Sequence, residues 1–205
     1  MRKDTKNEII KTAKKLFNEY GFNEVSIGDI AATLGISKGN LTYYFKKKED
    51  IIETIILENP RVETSKIPSS LLELDAFFYN IQKVIQDNAF YFWHYTQLSQ
   101  ISPEIEKKQQ EIFRHNFSTL HKAFFSLREA KLLIEEHFKD EYLFLIDSIL
   151  LSASYWVPFC KLKNAKLTDL SFQHYIWSMV YPLLTAKGRN EFLLIHPKIL
   201  YTDKK

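Results

Sequence analysis

Cysteine is almost missing from these 205 residues: Cys160 stands alone. No intramolecular disulfide can staple the chain, so its stability has to come from a packed core. Glycine is scarce as well, at five residues. No glycine-rich phosphate loop occurs, and no Ser or Cys nucleophile elbow. The six histidines lack zinc-ligand spacing, and Cys160 has no partner ligand nearby in sequence. Paired carboxylates such as Glu135-Glu136 read as the solvated end of a helix. Most catalytic classes are therefore excluded, and neither enzyme activity nor a cofactor or metal is expected.

Long apolar runs are also lacking, with one near-exception. Tyr142 to Cys160 is apolar apart from Asp147 and several serines, and its length nears the roughly 20 residues of a membrane span. A carboxylate close to mid-span is costly. A helix buried at a subunit interface accounts for the same pattern, so no membrane contact is expected. Met1-Arg2-Lys3-Asp4 leads into a polar stretch without an apolar signal core. With the lone thiol, this points to a cytoplasmic location.

What the chain does have is aromatic residues, at 15%, and a normal 45% of hydrophobic residues. Its positive charge is unevenly placed. Residues 1–50 hold ten Lys/Arg against seven Asp/Glu, so they carry the whole net charge of +3. A polyanionic partner is favoured for the N-terminal part only.

Almost every periodic segment reads as helix, and the expected fold is all-α. Thr5-Lys6-Asn7-Glu8 has capping-box spacing. Ile9, Ala13, Leu16, Phe17 and Tyr20 then share a helical face up to Gly21. Ser26 caps a second helix, buried through Ile27, Ile30, Ala31 and Leu34 and ended by Gly35. Ser37 caps a third, anchored by Leu41 with Tyr44 or Phe45 beside it. Two helices of about eight residues are unstable alone. They need the first as a lid, which gives a three-helix bundle containing a helix-turn-helix. A fourth helix over about 47–59 ends before Pro60, and residues 61–68 look like a linker. Further helices are expected over about 70–88, 89–100, 103–127 and 140–161, the last capped by Asp140 and kinked or ended by Pro158. A final helix runs from Thr168-Asp169 to about Ala186. The predicted division is a three-helix head at 1–50, a connecting helix, and a larger helical domain at 60–205.

The stretch from Leu34 to Glu49 carries the chemistry. A helix that reads DNA exposes short polar side chains, sets cations and hydroxyls near phosphates, and is held rigid from its buried side. Ser37, Lys38, Asn40, Thr42 and Tyr43 lie on or near the free side; Leu41 and Phe45 lie on the anchored one. Gly39 lets backbone come close to a partner, although glycine costs a helix about 1 kcal/mol against alanine. Asn40 suits a base edge or a phosphate, and Lys38 a guanine or a phosphate. Lys46, Lys47 and Lys48 sit where the next helix begins, a place that suits phosphate. Ser26 with the N-terminus of the second helix offers another phosphate contact.

The string Gly35-Ile36-Ser37-Lys38-Gly39-Asn40-Leu41, then Tyr43-Tyr44-Phe45-Lys46 and Lys48-Glu49, resembles the DNA-binding domain of the TetR/AcrR family of transcriptional regulators. Ala13, Leu16-Phe17, Gly21-Phe22, Ile30-Ala31 and Leu34 match in place. The resemblance implies that Ser37 to Tyr44 enters the major groove and that Lys48 holds a phosphate. Thr42 stands where the family usually has tyrosine, which removes a phosphate contact made by that ring. The implied molecule is a homodimeric, ligand-responsive repressor that binds a double-stranded DNA operator. The alternative is a DNA-binding dimer without a small-molecule effector, its C-terminal domain serving dimerisation or protein contacts.

The C-terminal part supports that layout only in general terms. Its aromatic wealth suits either packed core or a pocket for an apolar or aromatic effector. Candidate pocket residues are Phe77, Phe78, Trp93, His94, Phe113, Phe117, His121 and Tyr155. Candidate dimer-interface residues, on the helices at 140–161 and 168–186, are Leu145, Ile149, Trp156, Phe172, Ile176, Trp177 and Val180.

Overall fold

A computed structural model describes residues 2–58 and 66–197. Among them the chain is helical, apart from one isolated bridge between Leu133 and Leu184. The helices are α1 (Arg2–Tyr20), α2 (Ile27–Leu34), α3 (Lys38–Tyr44), α4 (Lys48–Glu58), α5 (Leu71–Asp87), α6 (Ala89–Trp93), α7 (Tyr95–Leu98), α8 (Pro103–Glu129), α9 (Glu141–Leu162), α10 (Phe172–Val180) and α11 (Ala186–Ile195). Two compact units form. One takes residues 2–58 with 86–112, the other 66–85 with 113–197.

In the first unit, Ile9, Ala13 and Phe17 of α1 are fully buried, as their spacing predicts. They meet Val25, Ile30, Ala31, Leu41 and Phe45, together with Ile51, Ile52, Ile55 and Ile56 of α4. The helix starts earlier than expected. Thr5 lies inside α1, and its capping-box spacing goes unused because Arg2, Lys3 and Asp4 already sustain helix. The second box does form: Ser26 Oγ accepts from the Asp29 N–H, and the Asp29 carboxylate accepts from the Ser26 N–H. Gly35 takes φ +67, so α2 can stop there, with the Ile36 N–H reaching the Ala31 carbonyl.

The same unit includes the corner where α5 gives way to α6. Asn18 of α1 donates through Nδ2 to the Asp87 carbonyl at 3.1 Å and accepts from the Phe90 N–H at 3.0 Å. One side chain thus satisfies an orphan acceptor at the end of α5 and an orphan donor at the start of α6. Phe90 packs on Phe17, with ring centroids 5.7 Å apart. The helix expected over 89–100 breaks at His94, which ends α6 and begins α7. The predicted end of α4 near Asn59, and residues 61–65 of the expected linker, lie outside the described residues.

The second unit closes around Trp177, Phe78, Phe124, Phe172 and Phe192, all essentially without solvent contact. Trp177 sits between Phe78 (5.6 Å) and Phe192 (4.8 Å). The Asp75 carboxylate accepts from Trp177 Nε1 at 2.7 Å and Gln173 Nε2 at 2.8 Å, and lies 2.8 Å from His196 Nε2. A half-buried carboxylate is tolerable there because three groups satisfy it. Asp140 does not cap α9 through its side chain. Glu136 does so, accepting the Tyr142 N–H, while Glu141 takes that of His137. Pro158 is absorbed within α9, which continues to Leu162.

The last helix, expected from Thr168-Asp169 to about Ala186, is shorter at both ends, spanning Phe172–Val180, and α11 follows beyond the expected end. Ser171 caps α10, Pro182 turns the chain through a 3-10 segment, and Thr185 caps α11. Pro182 lacks the N–H that would carry α10 onward. Helix α9 is long and apolar enough to cross a membrane, judged by length and composition alone. The same composition suits a core helix that also offers an apolar outer face.

Candidate nucleic-acid interface

Helix α3 is held from one side only. Leu41 is fully buried and Phe45 nearly so, while Ser37, Lys38, Gly39 and Asn40 are exposed. Tyr43 is 71% exposed, an unusual position for so large a ring. Tyr44, expected among the DNA contacts, is half-buried against the core, and its ring meets that of Tyr43 edge-on at 5.2 Å. It braces Tyr43. Ser37 caps α3, accepting the Asn40 N–H at 3.1 Å. Thr42, half-buried, donates its hydroxyl to the Gly39 carbonyl at 3.0 Å. Ser37, Lys38, Gly39, Asn40 and Tyr43 therefore form the open flank, with Thr42 half-buried at its edge.

Two of the expected phosphate contacts already have partners within the protein. Ser26 Oγ lies 2.6 Å from the Asp29 carboxylate and donates to it. These hydrogen bonds hold the Asp29 carboxyl below the usual range. Lys48 turns inward. Its ammonium donates to the Phe22 carbonyl at 2.7 Å and sits 4.2 Å from the centre of the Phe22 ring. Burial pulls it below the ordinary lysine range, against the opposing pull of Glu49 and Glu24. In this structure Lys48 ties the start of α4 to the corner between α1 and α2. Lys46 and Lys47 stay exposed, although Asp50 accepts the Lys47 N–H at 3.2 Å. Phe22 and Asn18, which brace the head, left no mark in the periodicity, because their partners lie far along the chain or on the backbone.

Residues 9–55 match the model of the bacterial regulatory proteins of the tetR family. Residues 60–192, most of the rest of the chain, match that of a TetR bacterial transcriptional repressor. The chain belongs to the TetR family. This places it among bacterial transcriptional regulators and outside the enzymes. Curated TetR relatives share chiefly the head. QacR of Staphylococcus aureus is 41% identical over 61 residues, 30% of each chain. YttP of Bacillus subtilis is 36% identical over 58 residues, 28% of each. The chain thus spans under a third of the length of these two. IcaR of S. aureus, a negative transcriptional regulator of the biofilm operon icaADBC, is 26% identical over 175 residues, 78% of this chain and 90% of its own. A TetR-family regulator from Marinobacter aquaeolei VT8 has the same fold, with a TM-score of 0.78 at 23% identity over 95% of this chain and 98% of that one.

Burial within each unit bears on the two other residue sets. Phe77 and Phe78 fill the second unit's core and line no opening for an effector. His94 is buried in the first unit, 2.9 Å from Gln97 Oε1 and edge-on to Phe22. Trp93 of that unit is partly exposed. Phe113 and Phe117 stack on each other, and Phe117 on His121, along the outside of α8. Tyr155 is exposed on α9. Of the expected dimer residues, Ile149, Trp156, Phe172, Ile176, Trp177 and Val180 are buried within the protomer, and Leu145 is half-buried. The large apolar side chains that α9 exposes are Phe144, Leu151, Tyr155 and Leu162, with Asp147 and Ser148 exposed between the first two. The four apolar ones are spaced seven, four and seven residues apart, so they form one stripe. Apolar spacing says that a residue is inside something; it does not say whether the cover is the same chain or a partner.

Proposed function

We propose that this TetR-family protein is a homodimeric repressor that reads operator DNA with the exposed flank of α3. The observation that carries this is the one-sided burial of α3: Leu41 and Phe45 anchor it, and Ser37, Lys38, Gly39, Asn40 and Tyr43 stand in solvent. Lys38 and Asn40 supply donors for base edges, and Lys46 and Lys47 supply charge for the backbone. Lys48 acts first as the brace of the head and reaches phosphate only by leaving the Phe22 carbonyl. The regulator IcaR, matched over most of both chains, supports repression over activation. Residues 1–50 form the reading head, and 60–205 supply the dimerisation and effector domain apart from 86–112, which pack in the same unit as the head, in the cytoplasm where DNA is found.

The stripe Phe144, Leu151, Tyr155 and Leu162 on α9 is the pairing face, and two copies of it bury each other. An apolar or aromatic effector bound beyond the head favours a head spacing that no longer fits the operator. A dimer without an effector is the second reading. It is favoured by the closed packing of Phe78 on Trp177, where an opening was expected.

Titration of the full chain against its own promoter DNA at two salt concentrations tests the main proposal. A site bound well above random DNA, with affinity falling as salt rises, is the expected result. Equal affinity for all sequences overturns it.

A further inference from the structure

Gly39 and Thr42 lie one turn apart on α3, Gly39 exposed on its open flank and Thr42 half-buried at the edge of that flank. A Cβ built on Gly39 would meet only Ser37 Oγ, at 3.9 Å, which is ordinary contact. Nothing inside the protein therefore requires glycine at this position. Thr42 has one hydroxyl proton, and it is given to the Gly39 carbonyl at 3.0 Å. With that proton committed, Thr42 keeps acceptor lone pairs but no donor; thymine O4 is itself only an acceptor, so toward that base the methyl group is what Thr42 can offer. Gly39, one turn away, presents bare backbone, with only Ser37 Oγ near the place a side chain would take.

We infer that Gly39 and Thr42 form a seat for the C5-methyl group of a thymine, so that Thr42 specifies T by apolar contact and not by hydrogen bonding. The thymine methyl is the one apolar group that a base edge presents in the major groove. Lys38, Asn40 and Tyr43 beside the seat read polar edges. This inference rests on the proposal that α3 enters the groove, and it adds which base Thr42 selects and by which atoms.

The test uses the full chain and a duplex site selected by it from a random library. Each thymine of the site is replaced in turn by deoxyuridine, which removes the methyl and keeps every hydrogen-bonding group. One position per half-site should weaken wild-type binding by roughly three- to sixfold, the worth of one buried methyl. Thr42→Val, which keeps the shape and loses the hydroxyl, should retain that sensitivity. Thr42→Ser, which keeps the hydroxyl and loses the methyl, should bind the thymine and uracil sites alike. If no position responds to uracil, or if Thr42→Ser stays as sensitive as wild type, the methyl seat is wrong while the reading head stands. If Thr42→Val loses the sensitivity, the hydroxyl is the reader and the inference is overturned. If the library yields no preferred site, the head itself is misassigned.

Discussion

Single residues in this protein sit where stability and function pull in opposite directions. Gly39 weakens a seven-residue helix that has little to spare, and no internal contact asks for it. Gly39→Ala should stabilise the folded chain by at most about 1 kcal/mol, seen as a raised melting temperature. The same substitution should weaken binding to the selected operator, because its methyl would stand where the proposed thymine methyl rests. A variant that is both more stable and an equal binder would show that nothing approaches the backbone there. Glu73 makes a different single-residue argument. Hydrogen bonds from Lys66 and from the Ser69 backbone and hydroxyl hold its carboxyl down at about 2, from an ordinary 4.5. A carboxylate depressed on folding stabilises the native state above its unfolded value and loses that effect as pH falls through the folded value. Glu73→Gln should therefore cost stability at neutral pH, and its difference from wild type should fade between about pH 4.5 and 2. Urea melts across that range measure it.

Elements are joined here by a few contacts between ends. Asn18 spans the last carbonyl of α5 and an early N–H of α6 while belonging to α1. Asn18→Ala orphans both groups, and a loss of about 1 kcal/mol is expected in urea unfolding. Faster amide exchange at Phe90 should accompany it; unchanged exchange would show that the clasp is not maintained in solution. The entry to α11 is tighter. Thr185 caps the helix, accepting the Gly188 N–H at 3.0 Å, and its own N–H donates to the Leu132 carbonyl at 3.0 Å. A Cβ on Gly188 would stand 2.2 Å from that carbonyl oxygen. Backbone cannot give way as a flexible side chain can. Gly188→Ala should destabilise the protein by about 1–3 kcal/mol and lower its melting temperature, with the DNA contacts of α3 untouched in any molecule that stays folded.

At the scale of the whole molecule, assembly turns on what covers α9. Leu151 is 62% exposed in the middle of the stripe that includes Phe144, Tyr155 and Leu162. Leu151→Glu places like charges face to face across a two-fold axis while leaving the protomer core untouched. Light scattering should then report a monomer where the wild type is a dimer, with unchanged helical content and weaker operator binding, since both heads no longer engage together. A variant that remains dimeric would move the pairing face off α9. Phe113, Phe117 and His121 on α8 would then be the next surface to alter.

Local order alone was enough to determine the head. The face of Ile9, Ala13 and Phe17, the caps Ser26 and Ser37, the stop at Gly35 and the anchor Leu41 are short-range signals, and each acts within a turn or two of chain. The open flank of α3 followed from them, because a helix pinned by Leu41 and Phe45 has only one side left to expose. Tertiary structure decided the rest. Aromatic content could not tell that Phe77 and Phe78 are core, or that Trp156 and Trp177 face inward and Leu151 outward. Burial is a property of what lies opposite a side chain, and that partner is many residues away. Lys48 makes the same point within the head. Its charge was visible in the chain, but the Phe22 carbonyl that holds it exists as a site only after α1, α2 and α4 have packed.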